Sequence, residues 1–320
     1  MGSYRRLSIL STVATFLLIA IGGLVRATKS GLGCGDDWPA CNGEIVPVLN
    51  GRPVIIEYSH RLAAAAVIVL VAALAVRAFK EHRDSRKIVR ATTAALVLVL
   101  GQAVVGMLVV KLHLEALSVA LHLGLALALL ALLSYGAVAA AGADRRIEGV
   151  ADASLARSAR IGAGAIFLLM LVGSYVTGRD AGAVFPDWPL MNGRAVPDFG
   201  GAGSALAELS AIHFTHRVLA AVVGVIVAVV AWGFIRRRRE FPAAARLAGA
   251  AVGLFALEVL IGALNVWTDL NEMLVFAHLV VGASIWTSLV AMALVTEPKL
   301  RDTSLERAVA PARVAVEGGR

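Results

Sequence analysis

Residues 37–43 read Asp-Trp-Pro-Ala-Cys-Asn-Gly, and residues 187–193 read Asp-Trp-Pro-Leu-Met-Asn-Gly. The second stretch repeats the first 150 residues later, and further matches lie on both sides of it. Gly23 matches Gly173 at the offset of 150, and at an offset of 156 the matches are His60-Arg61 with His216-Arg217, His122-Leu123 with His278-Leu279, and Gly106 with Gly262. A self-match of this length predicts two copies of one structural unit.

The composition around the repeat is strongly apolar. The 320 residues are 59% hydrophobic and 16% charged, and the mean hydropathy is +0.80. A helix needs about 20 apolar residues to cross a bilayer, and backbone groups in lipid must be hydrogen-bonded internally, which favours helices. Apolar blocks predict eight such helices, at about 7–27, 57–79, 88–110, 117–140, 161–178, 211–235, 243–267 and 272–296. The first block is retained as a span, because no small-residue cleavage site follows it.

The repeat and the helices together predict the architecture. Each copy contains four helices, and an even number preserves topology, so the two copies run parallel. We therefore predict an all-α polytopic membrane protein, with eight transmembrane helices forming two pseudo-symmetric four-helix bundles. The first half covers residues 1–145, the second covers 155–298, and the polar residues 299–320 form a mobile cytoplasmic tail.

Basic residues are divided unevenly between the two sides of these helices. Of the 30 Lys and Arg residues, 22 lie on the side that carries both termini and 8 on the other. Positive loops face the cytoplasm, so we predict a cell-membrane protein with both termini inside and the loops 28–56 and 179–210 outside. The formal charge of +8 would also suit a nucleic-acid partner. The basic runs contain no interleaved aromatic residues and no recognisable nucleic-acid-binding module, and we exclude that class.

The histidines are the candidate ligands of a cofactor. His82 and His113 fall in loops, whereas five lie in or at the outer ends of even-numbered helices: His60, His122, His213, His216 and His278. In each half, two matched histidines are 62 residues apart. Two imidazoles on different helices of one bundle suit axial ligation of haem iron, whereas zinc requires three or four ligands. Covalent attachment is excluded because the chain has no Cys-x-x-Cys-His motif. A proton relay remains the alternative.

The two halves differ beside these histidines. Glu57 precedes His60 by three residues, and the matching position in the second half is His213. Residues three apart share one face of a helix. Glu57 is therefore either a base or charge stabiliser beside a substrate, or a carboxylate that interacts favourably with the dipole of its helix. His213 is either a supporting partner or an alternative ligand.

Further candidates lie in and beside the first outer loop. Cys34 and Cys41, the two cysteines of the chain, match Val184 and Met191 in the second loop. An oxidising compartment predicts a disulfide between them, which is either a structural staple or a redox-active dithiol. Arg61 and Arg217 directly follow candidate ligands. Each is either a partner of haem propionates or an interfacial side chain that extends to the membrane surface.

Taken together, these residues resemble the haem A synthase family of the CtaA type over most of the chain, from about residue 22 to 295. The features that carry the resemblance are the Cys34/Cys41 pair around Asp37-Trp38-Pro39, the Glu57-x-x-His60-Arg61 signature and the repeated histidines. Some members carry a second cysteine pair in the later loop, and this chain does not. That departure affects neither the candidate ligands nor Glu57.

The resemblance implies a reaction and roles for the residues. Members oxidise the C8 methyl group of haem O to a formyl group by successive hydroxylations through a geminal diol, which gives haem A for terminal oxidases. His60 and His122 would bind the haem O substrate, His216 and His278 would hold a haem b cofactor that passes electrons, and Glu57 would be essential for the oxidation. A haem O synthase would supply the substrate in the same membrane. The sequence leaves both a monomer and a homo-oligomer open.

Two other classes of function compete with this one. A di-haem b-type electron-transfer subunit would carry two equivalent haems and would have no need of Glu57. A transporter with parallel repeats would bind no haem and would leave the 62-residue spacing of the histidines unexplained.

Overall fold

The structure is a computed structural model that describes residues 2–143, 151–199 and 204–297. The tail predicted at 299–320 lies outside these residues. The described part of the chain is helical apart from its loops, and its elements are α1 (Ser3–Ala27), α2 (Arg52–Glu81), α3 (Arg86–Lys111), α4 (Ala116–Ala143), α5 (Ala153–Gly178), a 3-10 turn (Ala181–Ala183), α6 (Ala205–Arg236), α7 (Pro242–Trp267) and α8 (Glu272–Thr296). All eight helices are long and apolar enough to cross a membrane. The prediction of an all-helical, multi-pass protein is confirmed.

Several helices begin earlier than hydropathy predicts, because polar capping residues precede their apolar stretches. The Asp152 carboxylate accepts hydrogen bonds from the backbone amides of Ser154 and Leu155, so α5 starts eight residues before the predicted position. Ser204 caps α6 in the same way through the amide of Ala207. A hydropathy window starts where charged residues end, whereas the hydrogen-bonded helix starts at its cap.

The principal helix contacts form two rings of four. Helices α1 to α4 each pack against their neighbours and α1 closes on α4, while α5 to α8 do the same with α5 closing on α8. Each ring surrounds a buried cluster, one including Leu74 and Leu133 and the other including Phe234 and Leu289. The rings meet where α4 packs on α5 and α8, and where α1 packs on α8. Ile19 and Leu127 from the first ring belong to the core of the second, and the division into two domains stays a prediction.

The two long loops, before α2 and before α6, lie at one end of the helices, which we call the loop end. Each repeated Asp-Trp-Pro segment folds into the same turn, closed by a β-bridge between Cys41 and Glu44 and by its counterpart between Met191 and Arg194. Asn42 and Asn192 both have positive φ, at 53° and 56°. Asn tolerates this left-handed region better than most residues, which explains why Asn-Gly occurs at the same point of both loops.

One predicted match is wrong by a single residue. Lys29 and Asp180, which follow α1 and α5, share the same positive φ, at 52° and 53°. Their offset is 151, so Gly173 corresponds to Gly22 and not to Gly23. The loops then differ in length by one residue before their Asp-Trp-Pro segments. That small deletion could not be located from the repeated residues alone.

Candidate functional site

Four of the candidate histidines form two pairs. His60 lies on α2 and His122 on α4, and the two imidazoles are close enough that a proton on one would repel a proton on the other. His216 on α6 and His278 on α8 are paired in the same way. From the loop end the four side chains lie between about 9 and 16 Å along their helices, at 1.5 Å per residue. His60 and His216 therefore lie deeper along their helices than predicted, because α2 and α6 start earlier.

Each of these imidazoles packs against a glycine of the preceding helix. A Cβ atom on Gly22 would lie 3.1 Å from Cε1 of His60, and one on Gly173 would lie 3.2 Å from Cε1 of His216. Gly106 and Gly262 have the same relation to the histidines of α4 and α8, at 3.3 and 3.4 Å. Small residues let neighbouring helices approach closely in membranes. These four glycines therefore leave space in which the imidazole of the next helix packs.

The four imidazoles are chemically suited to a haem. The Nδ1 atoms of all four histidines are buried and make no hydrogen bond with the described residues, while each of the four side chains remains partly accessible. No group of three or more His, Cys, Asp or Glu residues gathers in the described part of the chain. A pair of neutral imidazoles on facing helices is the donor set of a bis-histidine haem. The residues present therefore fit one haem in each half.

Glu57 lies in a buried network with the first long loop. Its Oε2 accepts a hydrogen bond from the backbone amide of Cys34 at 2.8 Å, and its Oε1 pairs with Nη2 of Arg61 at 2.5 Å. Nη1 of Arg61 donates to the carbonyl oxygens of Asp37 and Ala40. The Glu57 side chain is 4% exposed. The carboxylate therefore connects α2 to the loop, one helical turn from His60.

The first loop can reach Glu57 because of a glycine and a disulfide. Gly33 lies against the start of α2, where an added Cβ would be 2.4 Å from the carbonyl carbon and oxygen of Pro53. Cys34 and Cys41 are joined in a disulfide and both are buried, which confirms the predicted bond. Together they hold the Cys34 amide over the carboxylate. A side chain at Gly33 would have to move the loop away from α2.

The second half contains the same framework without the carboxylate. Arg217 donates through Nη1 to the carbonyl oxygens of Asp187 and Leu190, as Arg61 does to its own loop. Its Nε donates to Nε2 of His213 at 3.0 Å, so the position of Glu57 is occupied by a buried imidazole. The ring of Phe185 packs on that imidazole with centroids 5.2 Å apart.

Two predicted relations at this loop are changed by the structure. Phe185 is 1% exposed and occupies the buried position of Cys34, whereas Val184, the counterpart predicted from the sequence, is only partly buried. Nη2 of Arg217 is buried without a hydrogen-bond partner among the described residues. Both guanidinium groups bind loop carbonyls, which neither sequence interpretation of Arg61 and Arg217 included. Arg217 retains one free donor.

The second loop is further stabilised by the Asp187 carboxylate. Its two oxygens accept hydrogen bonds from the backbone amides of Asn192 and Gly193, both at 2.7 Å. The amide of Gly193 and then that of Asn192 hold the pKa of this carboxyl below its usual range, and nearby Arg217 adds to the effect. The carboxylate therefore stays charged at neutral pH and closes the turn.

A further polar residue lies beside a candidate ligand and was missed by the sequence interpretation. Oε1 of Glu258, on α7, is 3.3 Å from Nδ1 of His278. Extending the repeat offset of 156 to every polar residue inside the helices would have found it, because Glu258 matches Gln102. The predicted loop histidines lie apart from both pairs: His113 is exposed, and His82 packs against the ring of Tyr4.

Comparison with known proteins agrees with this site. A family model described as cytochrome oxidase assembly protein, COX15-CtaA, matches residues 5–290. A relative from Caulobacter vibrioides named "Heme A synthase" is 34% identical over 298 residues, covering 79% of this chain and 83% of the relative. Relatives with the same name from Listeria welshimeri and Lysinibacillus sphaericus are 26% and 25% identical, and each match covers 85% of this chain and 88% of the relative.

Proposed function

This chain belongs to the COX15-CtaA family of cytochrome oxidase assembly proteins, and we propose that its first histidine pair binds haem O while its second binds haem b. As an oxidoreductase of this family it acts on haem O and makes haem A for terminal oxidases. The relatives carry the haem A synthase name, which favours this function over the electron-transfer and transport alternatives. The observation that carries the assignment of the halves is the carboxylate of Glu57, whose counterpart in the second half is His213.

In the first half, His60 and His122 would be the ligands of the haem O iron, and Glu57 would act on the substituent that is oxidised. Two hydroxylations at the expense of an external oxidant each replace a C–H bond of the methyl group with a C–OH bond, and the resulting geminal diol loses water to leave the formyl group. A carboxylate beside this carbon can accept a released proton or stabilise positive charge. Glu57 is the carboxylate that the structure places one turn from His60. Arg61 and the Cys34 amide hold both of its oxygens in place, so its position does not depend on the substrate.

In the second half, His216 and His278 would hold haem b as the resident cofactor. When bound, this haem supplies one-electron transfer. The chain's own residues fix its surroundings: Gly173 and Gly262 set the imidazoles at close helix contacts, and Arg217 has a buried free donor at Nη2. We propose that this donor binds a haem propionate, because a guanidinium recognises carboxylates well. Arg61, whose Nη1 and Nη2 are engaged in the protein, is the weaker candidate for that role.

The setting of the reaction follows from the membrane spans. The eight helices of the described residues are long and apolar enough to cross a membrane. The distribution of Lys and Arg favours both termini in the cytoplasm, with the loop end outside. Haem O is itself an apolar product of a membrane enzyme. We therefore propose that a haem O synthase in the same bilayer supplies the substrate, and that the two histidine pairs lie towards the outer leaflet.

The test is conversion of haem O in a host that makes haem O but not haem A. Membranes from cells expressing this chain should contain haem A, identified by chromatography of extracted haems, and the purified protein should contain haem b together with haem O or A. The matched control is the same host with the empty vector. Membranes that contain haem O alone, with the protein present and loaded with haem b, would contradict the function.

A further inference from the structure

The carboxylate of Glu258 lies beside a proposed ligand of haem b. Its Oε1 is 3.3 Å from Nδ1 of His278, and the two side chains are 15% and 32% exposed. Oε2 of Glu258 and Nδ1 of His278 are both buried without a hydrogen-bond partner among the described residues, so the two groups are close but not hydrogen-bonded. Gly282, one turn further along α8 from His278, makes room for the carboxylate, because an added Cβ there would lie 3.1 Å from Oε1. When Nε2 of His278 binds iron, Nδ1 points away from the haem, and the Glu258 carboxylate lies beside that Nδ1.

The first half has a different group at the same position. Gln102 precedes Glu258 by the repeat offset of 156 and lies on α3 as Glu258 lies on α7. Its Nε2 donates to the backbone carbonyl oxygen of His122 at 3.0 Å, and its Oε1 has no partner in the described part of the chain. The side chain is thus turned to the backbone of α4. Nδ1 of His122, like Nδ1 of His278, makes no hydrogen bond with the described residues. Among those residues, however, His278 has a carboxylate within 4 Å of its Nδ1, and His122 does not.

This difference has a direct consequence for a bound haem. A carboxylate that accepts the Nδ1–H of a ligating imidazole fixes the orientation of the ring and makes the imidazole a stronger electron donor. A stronger donor stabilises ferric iron more than ferrous iron, and hydrogen bonding to axial ligands is a lever on the reduction potential. An amide that binds the backbone has neither effect. The two halves therefore differ in a second way, on the side of the ligand away from the haem.

We propose that Glu258 is a positioning residue that accepts the Nδ1–H of His278, retains haem b in the second half and lowers its reduction potential. The inference rests on the proposed function only in that His216 and His278 must hold haem b. A haem with a lowered potential gives up its electron more readily. The site of Glu258 would thus set the reduction potential of haem b apart from that of the haem in the first half.

The test is a redox titration of the purified holoprotein, in which mediators transfer one electron to ferric haem b and absorbance reports the ferrous form. Glu258→Gln preserves the shape of the side chain and removes its charge. We expect the equilibrium constant for reduction to rise about tenfold, which is about 59 mV for one electron. The rate of haem b loss to an apoprotein acceptor should rise about tenfold or more. The matched control is Gln102→Glu, which places a carboxylate at the same position in the first half and should leave the potential of haem b unchanged.

The outcomes separate this inference from the proposed function. A wild-type protein without haem b contradicts both, whereas a Glu258→Gln protein with haem b at an unaltered potential overturns this inference alone. An equal shift in the Gln102→Glu control also overturns it, because the effect would then be a general one of charge. If Glu258→Gln is purified without haem b, Glu258→Asp decides: recovery of haem b supports the carboxylate as the group that retains it, and failure to recover it overturns this inference.

Discussion

Replacing Glu57 with Gln separates its chemical role from its structural one. The two oxygens of the carboxylate accept from Arg61 Nη2 at 2.5 Å and from the Cys34 amide at 2.8 Å. Gln keeps one oxygen and places an NH2 group at the other, so one of the two hydrogen bonds is lost. Hydrogen bonds to charged groups contribute about 1.5–3 kcal/mol each. We take this range as the cost, because Arg61 keeps its bonds to the loop carbonyls.

A cost of that size weakens the attachment of the loop but leaves the histidine pairs in place. We therefore expect Glu57→Gln to retain both haems while haem O accumulates. If Glu57 transfers a proton or stabilises charge, conversion to haem A should fall by about 10²- to 10⁴-fold, the usual contribution of such a group. The assay is the ratio of haem A to haem O in extracts of membranes that contain equal amounts of protein.

The matched control is His213→Gln, which makes the same residue at the corresponding position of the second half. It should disturb the contact with Arg217 and leave the ratio of haem A to haem O within a few-fold of wild type. A Glu57→Gln protein that makes haem A at the normal rate would refute the chemical role. Loss of bound haem in that variant would show instead that Glu57 acts by holding the site together.

Three further perturbations test other parts of the account. Gly22→Val should push aside the His60 imidazole, because a Cβ at Gly22 would lie 3.1 Å from its Cε1, and should deplete haem O from the protein. Gly173→Val should deplete haem b instead, and extracted haems measure both effects. Changing Cys34 and Cys41 to Ser removes a cross-link between residues seven apart, worth about 2.5 kcal/mol by loop entropy, and should speed proteolysis of the first loop in sealed vesicles of known orientation. The lowered pKa of Asp187 means that its stabilisation is complete above the ordinary pKa of Asp and is lost only as pH falls through the lowered one. Protease resistance of the second loop should therefore be unchanged from pH 7 to about pH 5 and fall only at stronger acidity, and Asp187→Asn should remove that dependence.

The pairing of the histidines could be predicted from the sequence because a repeat is a strong constraint. Two His residues at the same spacing of 62 in both copies must occupy equivalent helices, and the structure brings each pair together. The disulfide could be predicted for a similar reason, since Cys34 and Cys41 share a short loop. The loop between the cysteines is too short, and the repeat that carries the histidines too regular, to allow many other pairings.

The contacts of the arginines could not be predicted, because they depend on the loop conformation. Arg61 and Arg217 follow the ligands in sequence, which suggested propionates, but their guanidinium groups reach back to the carbonyls of the repeated Asp-Trp-Pro turn. The match of Gly23 with Gly173 failed for a related reason. Before its Asp-Trp-Pro segment the first loop is one residue longer than the second, so an alignment fixed on these segments pairs α1 with α5 one residue out of register, which is about 100° around a helix. Gly22 and Gly23 are adjacent, and the sequence alone does not show which of them matches Gly173.

The role of a polar residue inside a span is also hard to read from sequence alone. Gln102 and Glu258 occupy equivalent positions, yet one binds a backbone carbonyl and the other approaches an imidazole. Side-chain direction decides between these outcomes, and it depends on the small residues of the facing helix, such as Gly282. The repeat identifies the pair, and the packing determines what each member does.

The haem content of each half tests the central claim most directly. Three proteins would be purified from cells that make haem B and haem O: the wild type, His60→Ala with His122→Ala, and His216→Ala with His278→Ala. The account predicts that the first double variant retains haem B and loses haem O and A, while the second loses haem B. A wild-type protein without haem, or two double variants with the same haem content, would contradict it.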